Sequence, residues 1–516
     1  MKSKNAEENL SSVRDVAKKY AGKNSETSKK ICFDSDKYIK LQSAKIAERI
    51  KMFDNKLYLE FGGKIFDDMH ASRVLPGFRP DMKGNMLAQL SDKTEVILCI
   101  NAGDIEQKRV NSNLGINYEA NLLRLMTQFE KLGIPTAGVV ITLYTGQPAA
   151  DKFAKQLRRR GIKTYFHTYT KGYPTDVDTI VSEKGYGAQP YVETTKPLVV
   201  VVAPGPNSGK LATCLSQLYH ENQRGVRAGY AKFETFPVWD LPLKHPVNIA
   251  YEASTVDLDD INMIDNFYLE KYGRSAVNYN RDLAVFPILK NILHRITGED
   301  LYASPTDMGV NVVGQCIVDD AGVRAAANGE IIRRYLDAMC NYRNGIWDAG
   351  PPERAKLLMD ELGISLNDRP VVAAALDVKE KKKSEVVAIE LLNGQMITGR
   401  DKDVMTASAA VVINAVKELS GIDEQIHLIS PVNLDSMLKL KREVYRETQL
   451  NLLDVLAALA VSGATNPTAE LALANLPKLK GLEAHSTVML PKVEIDALKK
   501  LGLNITCTDE FAKELR

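Results

Sequence analysis

An uninterrupted apolar run from Leu198 to Ala203 is followed directly by a glycine-rich turn and by a helical sequence that begins at Lys210. A run this short, with no polar residue at alternate positions, is typical of a strand buried on both faces of a parallel sheet. Parallel neighbours must be joined by crossover connections, which are usually helices. The run therefore predicts an α/β protein in which this strand lies inside a sheet.

The residues before this run alternate short apolar segments with amphipathic stretches, which is the pattern of βα units. Asn117 to Leu132 and Asp151 to Arg160 have the spacing of helices that cover a sheet. The expected fold is a Rossmann-like, doubly wound parallel sheet. Its first predicted strands are Leu57 to Phe61, Glu95 to Asn101, Gly138 to Leu143 and Lys163 to His167.

A chain of 516 residues exceeds what one hydrophobic core usually organises, so several domains are expected. Residues 1–35 are rich in Lys, Asn, Ser and Glu and are predicted to form a disordered tail. The rest is expected to divide into a Rossmann-like α/β domain (36–195), a P-loop-like α/β unit (196–335) and a mainly helical α+β C-terminal domain (336–516). The last of these is expected to begin with a strand at Pro370 to Leu376.

The turn after the apolar run carries the residues of a phosphate-binding loop. A helix amino terminus leaves backbone N–H groups unpaired and carries partial positive charge, so a tight turn there can surround an anion. Lys210 adds a full positive charge, and glycine permits both positive φ and a close approach of phosphate oxygens. The candidate ligand-binding residues are Gly205, Asn207, Ser208, Gly209 and Lys210.

Two departures from the common GxxxxGK[ST] pattern bear on the metal. Pro204 stands where the first glycine belongs, and Leu211 replaces the hydroxyl residue that usually holds Mg²⁺. Mg²⁺ binding is therefore in doubt, whereas ATP or GTP remain candidate ligands. The alternative is a glycine-rich strand-to-helix turn that has no ligand and is merely capped by a lysine.

A further predicted strand, Arg227 to Thr235, places Lys232 and Glu234 at the carboxyl edge of the sheet, where the turn also lies. The arrangement is similar to that of P-loop synthetases related to dethiobiotin synthetase, in which a lysine at this strand's end meets substrate or phosphate. Lys232 is thus a candidate catalytic residue. Surface charges at the end of a strand are the alternative.

Pro246 to Glu252 is predicted to be another strand, and it ends in an acid. An acid beside a phosphate loop can hold Mg²⁺ or order a water, so Glu252 is the third candidate catalytic residue, with Lys210 and Lys232. The acids from Asp257 to Asp260 are expected to cap a helix from Ile261 to Tyr272.

Other polar stretches are weaker candidates. Gly62 to Lys64 and His70 have the composition of a second ligand loop, although His70 is as readily explained as a buried structural histidine. Arg400, Thr406 and Ser408 lie in a small-residue region whose simplest role is close helix packing. No His/Cys cluster has metal-ligand spacing, and no GxSxG or HExxH motif occurs in the sequence.

Composition limits the partners. Lys plus Arg (67) and Asp plus Glu (65) nearly balance, so no global field favours nucleic acid or an anionic membrane. The six cysteines form no CxxC pair, which suits a reducing compartment and predicts a cytoplasmic protein. No apolar run is long enough for a transmembrane helix, and no secretory signal is expected. A phosphorylated small molecule is the expected partner, and the small-residue helices are compatible with a homo-oligomer.

Several motifs together resemble the uncharacterised bacterial family DUF1846 (UPF0371). The resemblance implies a cytosolic protein with an N-terminal α/β part and a separate C-terminal domain, and it implies no particular reaction. It extends over nearly everything beyond the first thirty-five residues. The motifs are Phe61 to Lys64, His70 to Phe78, Cys99 to Gln107, the Gly205 turn with Leu211 to His220, Val277 to Asp282, Ile397 to Arg400, and Ala484 to Thr487.

The sequence thus predicts an enzyme that holds a nucleoside triphosphate or a phosphorylated substrate at the Gly205 turn and performs phosphoryl transfer or ATP/GTP-dependent ligation. Two alternatives stay open. One is a non-catalytic regulatory protein that binds a nucleotide. The other is an enzyme that acts on a phosphorylated metabolite or a dinucleotide without a triphosphate.

Overall fold

A computed structural model of the chain describes residues 31–111 and 115–511. A disordered tail was predicted for residues 1–35, and residues 1–30 of it lie outside the described residues. From Ile31 onward the chain is part of the fold, since Cys32 and Phe33 are buried and the first helix begins at Ser35. The described chain divides into two compact units, residues 31–327 and the residues from 328 onward.

The N-terminal unit contains eleven strands among its described residues. They are β1 (Leu57–Phe61), β2 (Thr94–Asn101), β3 (Val110–Asn111), β4 (Ile116–Asn117), β5 (Thr136–Thr142), β6 (Thr164–Phe166), β7 (Leu198–Val202), β8 (Gly229–Phe233), β9 (Asn262–Ile264), β10 (Val277–Tyr279) and β11 (Gly309–Val310).

Helices separate most of these strands. They are α1 (Ser35–Met52), α2 (Met69–Val74), α3 (Met82–Ala88), α4 (Ala102–Glu106), α5 (Tyr118–Lys131), α6 (Pro148–Arg159), α7 (Val177–Ile180), α8 (Lys210–Gln223), α9 (Pro246–Ser254), α10 (Asn266–Tyr272), α11 (Asn280–Thr297) and α12 (Pro305–Met308). The helix α13 (Asp320–Arg343) includes the residue at which the two units divide.

Seven strands form one parallel sheet in the order β11-β8-β1-β7-β2-β5-β6. Every residue of β1 and β7 is buried, so both faces of the sheet are covered. The Rossmann-like α/β fold is thereby confirmed. The domain boundary expected at 196 is not a boundary, because β1 pairs with both β7 and β8 inside this single sheet.

The strand order creates two crevices at the carboxyl edge of the sheet. From β7 the chain proceeds towards β8 and β11, whereas from β2 it proceeds towards β5 and β6, so the connections diverge between β7 and β2. They also diverge between β8 and β1, since β8 leads to β11 and β1 leads to β2. Ligands of open α/β sheets bind in such crevices, where the order reverses.

Two expected elements of the N-terminal unit are wrong. Pro246 to Glu252 is not a strand but most of α9, which has Pro246 at its first turn and His245 as its amino-terminal cap. The helix expected from Ile261 to Tyr272 begins with the short strand β9 and becomes helical only at Asn266. Asp265, rather than the acids from 257 to 260, caps that helix by accepting from the Tyr268 amide.

The C-terminal unit contains a four-stranded sheet of order β13-β12-β14-β15, in which only β14 and β15 are parallel. The strand expected at Pro370 to Leu376 is instead the first half of a helix with proline at its first turn. The elements are β12 (Val386–Glu390), β13 (Met396–Arg400), β14 (Glu483–Ser486), β15 (Asn504–Cys507), α14 (Gly350–Leu362), α15 (Pro370–Lys382), α16 (Ala407–Ser420), α17 (Pro431–Leu440), α18 (Leu452–Gly463), α19 (Pro467–Asn475) and α20 (Lys492–Lys500).

No helix among the described residues combines the length and the apolar character needed to cross a membrane.

Candidate functional site

The glycine-rich turn follows β7, the central strand of the seven, and leads into α8. Asn207 and Gly209 have φ angles of 53° and 76°, in the left-handed region that Gly and Asn adopt most readily. Gly209 is the cap residue of α8, and no side chain bonds to the first amides of that helix. The predicted strand, turn and helix are therefore present at the predicted residues.

Side chains from neighbouring strands hold the carbonyl groups of the turn. Thr142 Oγ1, at the end of β5, donates to the carbonyl oxygen of Ser208 at 2.9 Å. Asn101 Nδ2, at the end of β2, donates to the carbonyl oxygen of Asn207 at 3.3 Å. Ser208 Oγ donates to the carbonyl oxygen of Gly205 at 3.0 Å. These bonds fix the turn through its acceptors.

Two further bonds complete the pattern. Asn121 Nδ2, on α5, donates to the carbonyl oxygen of Pro204 at 3.4 Å. Thr213 Oγ1 donates to the carbonyl oxygen of Gly209 at 3.0 Å. Five carbonyl groups of the turn are thus bonded by the protein itself, those of Pro204, Gly205, Asn207, Ser208 and Gly209.

The amide groups of the turn are different. Within residues 31–111 and 115–511, no backbone or side-chain acceptor bonds to the N–H of Gly205, Asn207, Ser208, Gly209 or Lys210. Unpaired N–H groups at a helix amino terminus attract an anion, because they add to the positive end of the helix dipole. Within the described chain, these amides therefore remain available as hydrogen-bond donors.

Lys210 is half-buried and forms no ion pair with any residue in the described part of the chain. The charge of Lys210 also acts on the buried thiol of Cys99. Burial raises the pKa of the Cys99 thiol to about 12, while a hydrogen bond with Thr213 and the Lys210 ammonium both oppose that rise. Lys210 is therefore a cation at the rim of the turn whose counter-charge is not supplied by a neighbouring carboxylate.

Two glycines of the turn lie in close contact with neighbouring side chains. A Cβ atom on Gly205 would lie 2.4 Å from Tyr118 Oη, which is far inside van der Waals contact. A Cβ atom on Gly209 would lie 2.9 Å from Thr142 Cβ, and the backbone there also has positive φ. The turn is held against α5 and β5 at these two points.

The residues around the turn do not fit a magnesium ion in the usual P-loop position. Leu211 offers no oxygen, and the nearby hydroxyl of Thr213 already donates to a carbonyl group of the turn. Across the described ranges, no group of three or more His, Cys, Asp or Glu side chains has the geometry to hold a metal.

Lys232 lies in the other crevice, on β8, with β1 between it and the strand that carries the turn. Its Nζ is 2.7 Å from Glu234 Oε1 and is bonded to Asp282. Burial lowers the pKa of Lys232, but the charges of Asp282, Glu234 and Glu60 outweigh burial and hold that pKa above its usual range. The structure thus joins Lys232 to carboxylates rather than to the turn, and Asp282 is the partner that the sequence did not identify.

Glu234 has an unusual proton affinity. Burial, the largest cause, raises the pKa of its carboxyl to about 7, with Lys232 acting against the rise and Asp282 adding to it. Its neighbour Glu60 accepts a hydrogen bond from Tyr230 Oη at 2.7 Å. A carboxyl that exchanges its proton near neutrality is available for acid–base chemistry.

Glu252 does not end a strand and does not face the turn from one. It lies on α9, where its carboxylate accepts from the amide of Asn262 at 3.1 Å and from Asn262 Nδ2 at 3.0 Å. These bonds attach the start of β9 to α9. The contacts indicate a structural role for this carboxylate.

The polar residues after β1 also serve packing. His70 stacks edgewise against Phe236, with ring centroids 5.2 Å apart. The fully buried Lys83 Nζ lies 2.6 Å from Asp68 Oδ2. That ion pair was not predicted, because no sequence signal marks a lysine that folding will bury.

In the C-terminal unit, Thr406 and Ser408 contact the buried carboxylate of Glu494. Their hydroxyls donate to its oxygens at 2.6 Å and 3.1 Å, and the Leu452 amide donates at 3.2 Å. The interpretation of Thr406 and Ser408 as packing residues is therefore favoured over a ligand site.

The fold and the turn define the class of protein: a parallel, Rossmann-like α/β protein with a glycine-rich strand–turn–helix at a crevice of its sheet, followed by a separate α+β unit. Comparison with protein families identifies the family. The model described as domain of unknown function DUF1846, N-terminal, matches residues 31–363, and its C-terminal counterpart matches residues 367–515. The chain belongs to the DUF1846 family, which confirms the resemblance seen in the sequence.

Curated relatives agree with this assignment. UPF0371 proteins of Clostridium botulinum strains Alaska E43, Eklund 17B and Langeland are each 52% identical to this chain over 496 residues. The alignments cover 94% of this chain and 99% of each relative. The similarity therefore extends through both units.

Proposed function

We propose that the turn from Gly205 to Lys210 binds a phosphate group of a nucleotide or of another phosphorylated small molecule. One observation supports the proposal most strongly: five carbonyl groups of the turn accept hydrogen bonds from the protein, whereas the amides of Gly205 and of Asn207 to Lys210 donate to no described residue. A turn with this arrangement presents donors to an anion and keeps acceptors away from it. Lys210 adds the charge that a phosphate requires.

The chemistry that we propose is phosphoryl transfer or ligation driven by ATP or GTP. Phosphoryl transfer depends on positioning and on charge stabilisation, and a lysine beside bound phosphate provides both. Leu211 specifically favours a second candidate, an enzyme that acts on a phosphorylated metabolite or a dinucleotide, because such a ligand does not require the Mg²⁺ that accompanies a triphosphate.

Calorimetric titration tests the proposal. Purified wild-type protein is titrated with ATP, GTP and inorganic pyrophosphate, each with and without Mg²⁺, and the titrations are repeated with Lys210→Ala. We expect binding by the wild type and an affinity that is lower by about tenfold or more in the variant, as for the loss of a charged hydrogen bond. Lys155→Ala, which removes an exposed lysine of α6, is the matched control and should bind like the wild type.

Product analysis then separates the candidate activities. Release of phosphate or diphosphate only in the presence of a second substrate indicates transfer or ligation. A ligand that stays intact after long incubation indicates a binding or regulatory protein. Equal affinity of wild type and Lys210→Ala for every phosphate ligand would contradict the proposed site.

We also propose a cytoplasmic location. All six cysteines lie within the described residues, and none of them forms a disulfide. Free, mostly buried thiols suit a reducing compartment.

A further inference from the structure

The helix α17, in the C-terminal unit, packs against its own unit by one side only. Leu438 is its single buried residue, whereas Val432 and Leu440 are 71% and 52% exposed. Val432, Ser436 and Leu440 are spaced by four, so they form one stripe along the helix. Leu438 lies on the other side, since about half a turn separates it from both Ser436 and Leu440. The apolar stripe therefore faces away from the core.

A π-helical turn, Lys441–Tyr445, continues the stripe. A π turn holds more residues than an α turn, so each residue advances through a smaller angle around the axis. Val444, which is 63% exposed, consequently stays in line with Val432 and Leu440 instead of rotating away from them. Such turns are rare and occur often at functional sites. Here the wide turn lengthens an exposed apolar face.

The π turn is attached firmly to the rest of its unit. Lys441 is buried, and its Nζ lies 2.9 Å from the carboxylate of Asp454, a capping residue of α18. Lys441 also forms an ion pair with Glu447. A surface that is already ordered loses little conformational entropy when a partner covers it. The stripe is therefore suited to docking without rearrangement.

Ser436, at the centre of the stripe, is suited to being covered. Its Oγ donates to the carbonyl oxygen of Val432 at 2.8 Å, so the hydroxyl proton is already bonded within the helix. Burying a hydroxyl is costly chiefly when its hydrogen bond is lost. The small side chain also allows a second helix to approach closely, since the distance between packed helices depends on the side chains at the contact.

Two exposed charges beside the stripe are complementary to each other. Asp435 and Lys439 lie four positions apart on one flank of the stripe. Among the described residues Asp435 forms no ion pair, and Lys439 Nζ is 4.0 Å from the Glu443 carboxylate, at the limit for such a pair. In two antiparallel copies of α17, a two-fold axis brings the same flank of both helices together. Asp435 of each copy then lies beside the partner's Lys439.

We propose that α17 and the π turn form the contact between two copies of this chain, paired antiparallel about Ser436. Val432 of each copy packs against the partner's Leu440, and the contact is isologous, with the same patch used by both subunits. A second copy fits better than an unrelated partner, because the charges beside the stripe complement those of the same stripe turned around. No residue of the proposed phosphate site belongs to this segment.

Analytical ultracentrifugation of the full chain between about 1 and 100 µM tests the proposed contact. We expect a monomer–dimer equilibrium in the wild type. Leu440→Glu should weaken association by about hundredfold or more, because it buries two charges that have no partners. Leu357→Glu, at a residue that is 66% exposed on α14, is the matched control and should associate like the wild type. A monomeric wild type, or equal association of the wild type and Leu440→Glu, would overturn the proposal.

Charge reversal tests the antiparallel orientation with variants that change only exposed side chains. Asp435→Lys and Lys439→Asp each place like charges across the two-fold axis, and each should weaken association by about tenfold or more. An equimolar mixture of the two variants should associate like the wild type, since every lysine then meets an aspartate. A mixture no stronger than its components would contradict the pairing. Lys210→Ala should dimerise normally, so failure of the phosphate proposal and failure of this one give different results.

Discussion

Thr142 Oγ1 donates to the carbonyl oxygen of Ser208 at 2.9 Å, and the strand β2 lies between the strands that lead to these two residues. The same hydroxyl is 3.3 Å from the carbonyl oxygen of Ile100, on β2 itself. One side chain thus connects the ends of β5 and β2 to the turn after β7. The conformation of the turn depends on the sheet as well as on its own glycines.

Thr142→Val should destabilise the protein and weaken phosphate binding. The substitution keeps the shape of the side chain but leaves the buried Ser208 carbonyl without its donor, at a cost of about 1–3 kcal/mol. Denaturant unfolding measures that loss, and titration with pyrophosphate measures the affinity. Thr142→Ser, which retains the hydroxyl, should lose less stability and less pyrophosphate affinity than Thr142→Val. Equal losses in the two variants would show that the hydrogen bond is unimportant.

Gly205→Ala should disrupt the turn by a steric clash rather than by backbone strain. The new Cβ would lie 2.4 Å from Tyr118 Oη, so either the turn or the Tyr118 side chain must move. We expect pyrophosphate affinity to fall by about tenfold or more, since a displacement of about 1 Å suffices for such effects. Calorimetric titration checks this.

The double variant Gly205→Ala/Tyr118→Ala removes the atoms that clash and should recover part of the lost affinity. Gly329→Ala, at a helical position where a Cβ would meet no atom within 4 Å, is the control and should be neutral or slightly stabilising. Failure of the double variant to recover any binding would contradict the steric explanation.

Asp68→Asn should be strongly destabilising. It removes the partner of Lys83, whose Nζ is buried and 2.6 Å from Asp68 Oδ2, and breaking such a pair typically costs about 3–5 kcal/mol. Replacing both residues, as in Asp68→Leu/Lys83→Met, should recover much of this loss. Asp67→Asn, which breaks an exposed pair with Arg124, should change the free energy of unfolding by no more than about 1 kcal/mol.

The same ion pair predicts a pH dependence. Burial raises the pKa of Asp68, but Lys83 and the Ala71 amide outweigh burial and hold that pKa below its ordinary value of 3.8. A depressed carboxyl pKa stabilises the fold above the ordinary value, and this contribution is lost as the pH falls through the folded-state pKa. The denaturant concentration at the unfolding midpoint should therefore decrease as the pH is lowered below about 4. This decrease should be smaller in Asp68→Asn than in the wild type.

His485 predicts a second pH effect, with its onset nearer neutrality. Its ring is fully buried between the hydroxyls of Thr506 and Thr508, and burial, aided by the charge of Arg369, lowers the pKa to about 3 from 6.5. The unfolded chain takes up a proton below about pH 6.5 that the folded chain refuses, so stability falls on acidification by up to about 1.4 kcal/mol per pH unit.

Unfolding measured between about pH 7 and pH 4 should show this slope in the wild type and a smaller slope in His485→Gln. His427→Gln, at an exposed histidine, is the control and should keep the wild-type slope. Identical slopes for the wild type and His485→Gln would mean that the ring is not protected in the folded state.

The sequence was most informative about the strands of the parallel sheet. Strands such as β1 and β7 are continuous apolar runs, because helices cover both faces of the sheet. The order of these strands could not be predicted, since pairing of β1 with β7 and β8 joins residues more than a hundred positions apart. Because of that order, the strands of the two domains expected at 36–195 and 196–335 belong to a single sheet.

The two strands that proved to be helices share a physical cause. Pro246 and Pro370 each precede β-branched or apolar residues, which suggested strands, yet each proline occupies the first turn of a helix. Proline is favoured there because its missing N–H would be unpaired in any case. The proline in each sequence thus indicated the start of a helix, but the apolar run that follows it led to the prediction of a strand.

At the candidate site, local sequence predicted the turn and tertiary structure determined its partners. Gly205 to Lys210 are contiguous, so their geometry follows from one strand–turn–helix. Asp282 reaches Lys232 from α11 through the fold, although 50 positions separate the two residues in the chain. No spacing rule connects residues that meet in this way.

The amide protons of Gly205 and Gly209 provide the most direct test of the central claim, that the free N–H groups of the turn bind phosphate. NMR spectra of glycine-labelled protein are recorded during titration with pyrophosphate and assigned with Gly205→Ala and Gly209→Ala. We expect these two amide signals to move downfield together and to saturate at the calorimetric affinity. Saturable binding that leaves both signals in place would contradict it.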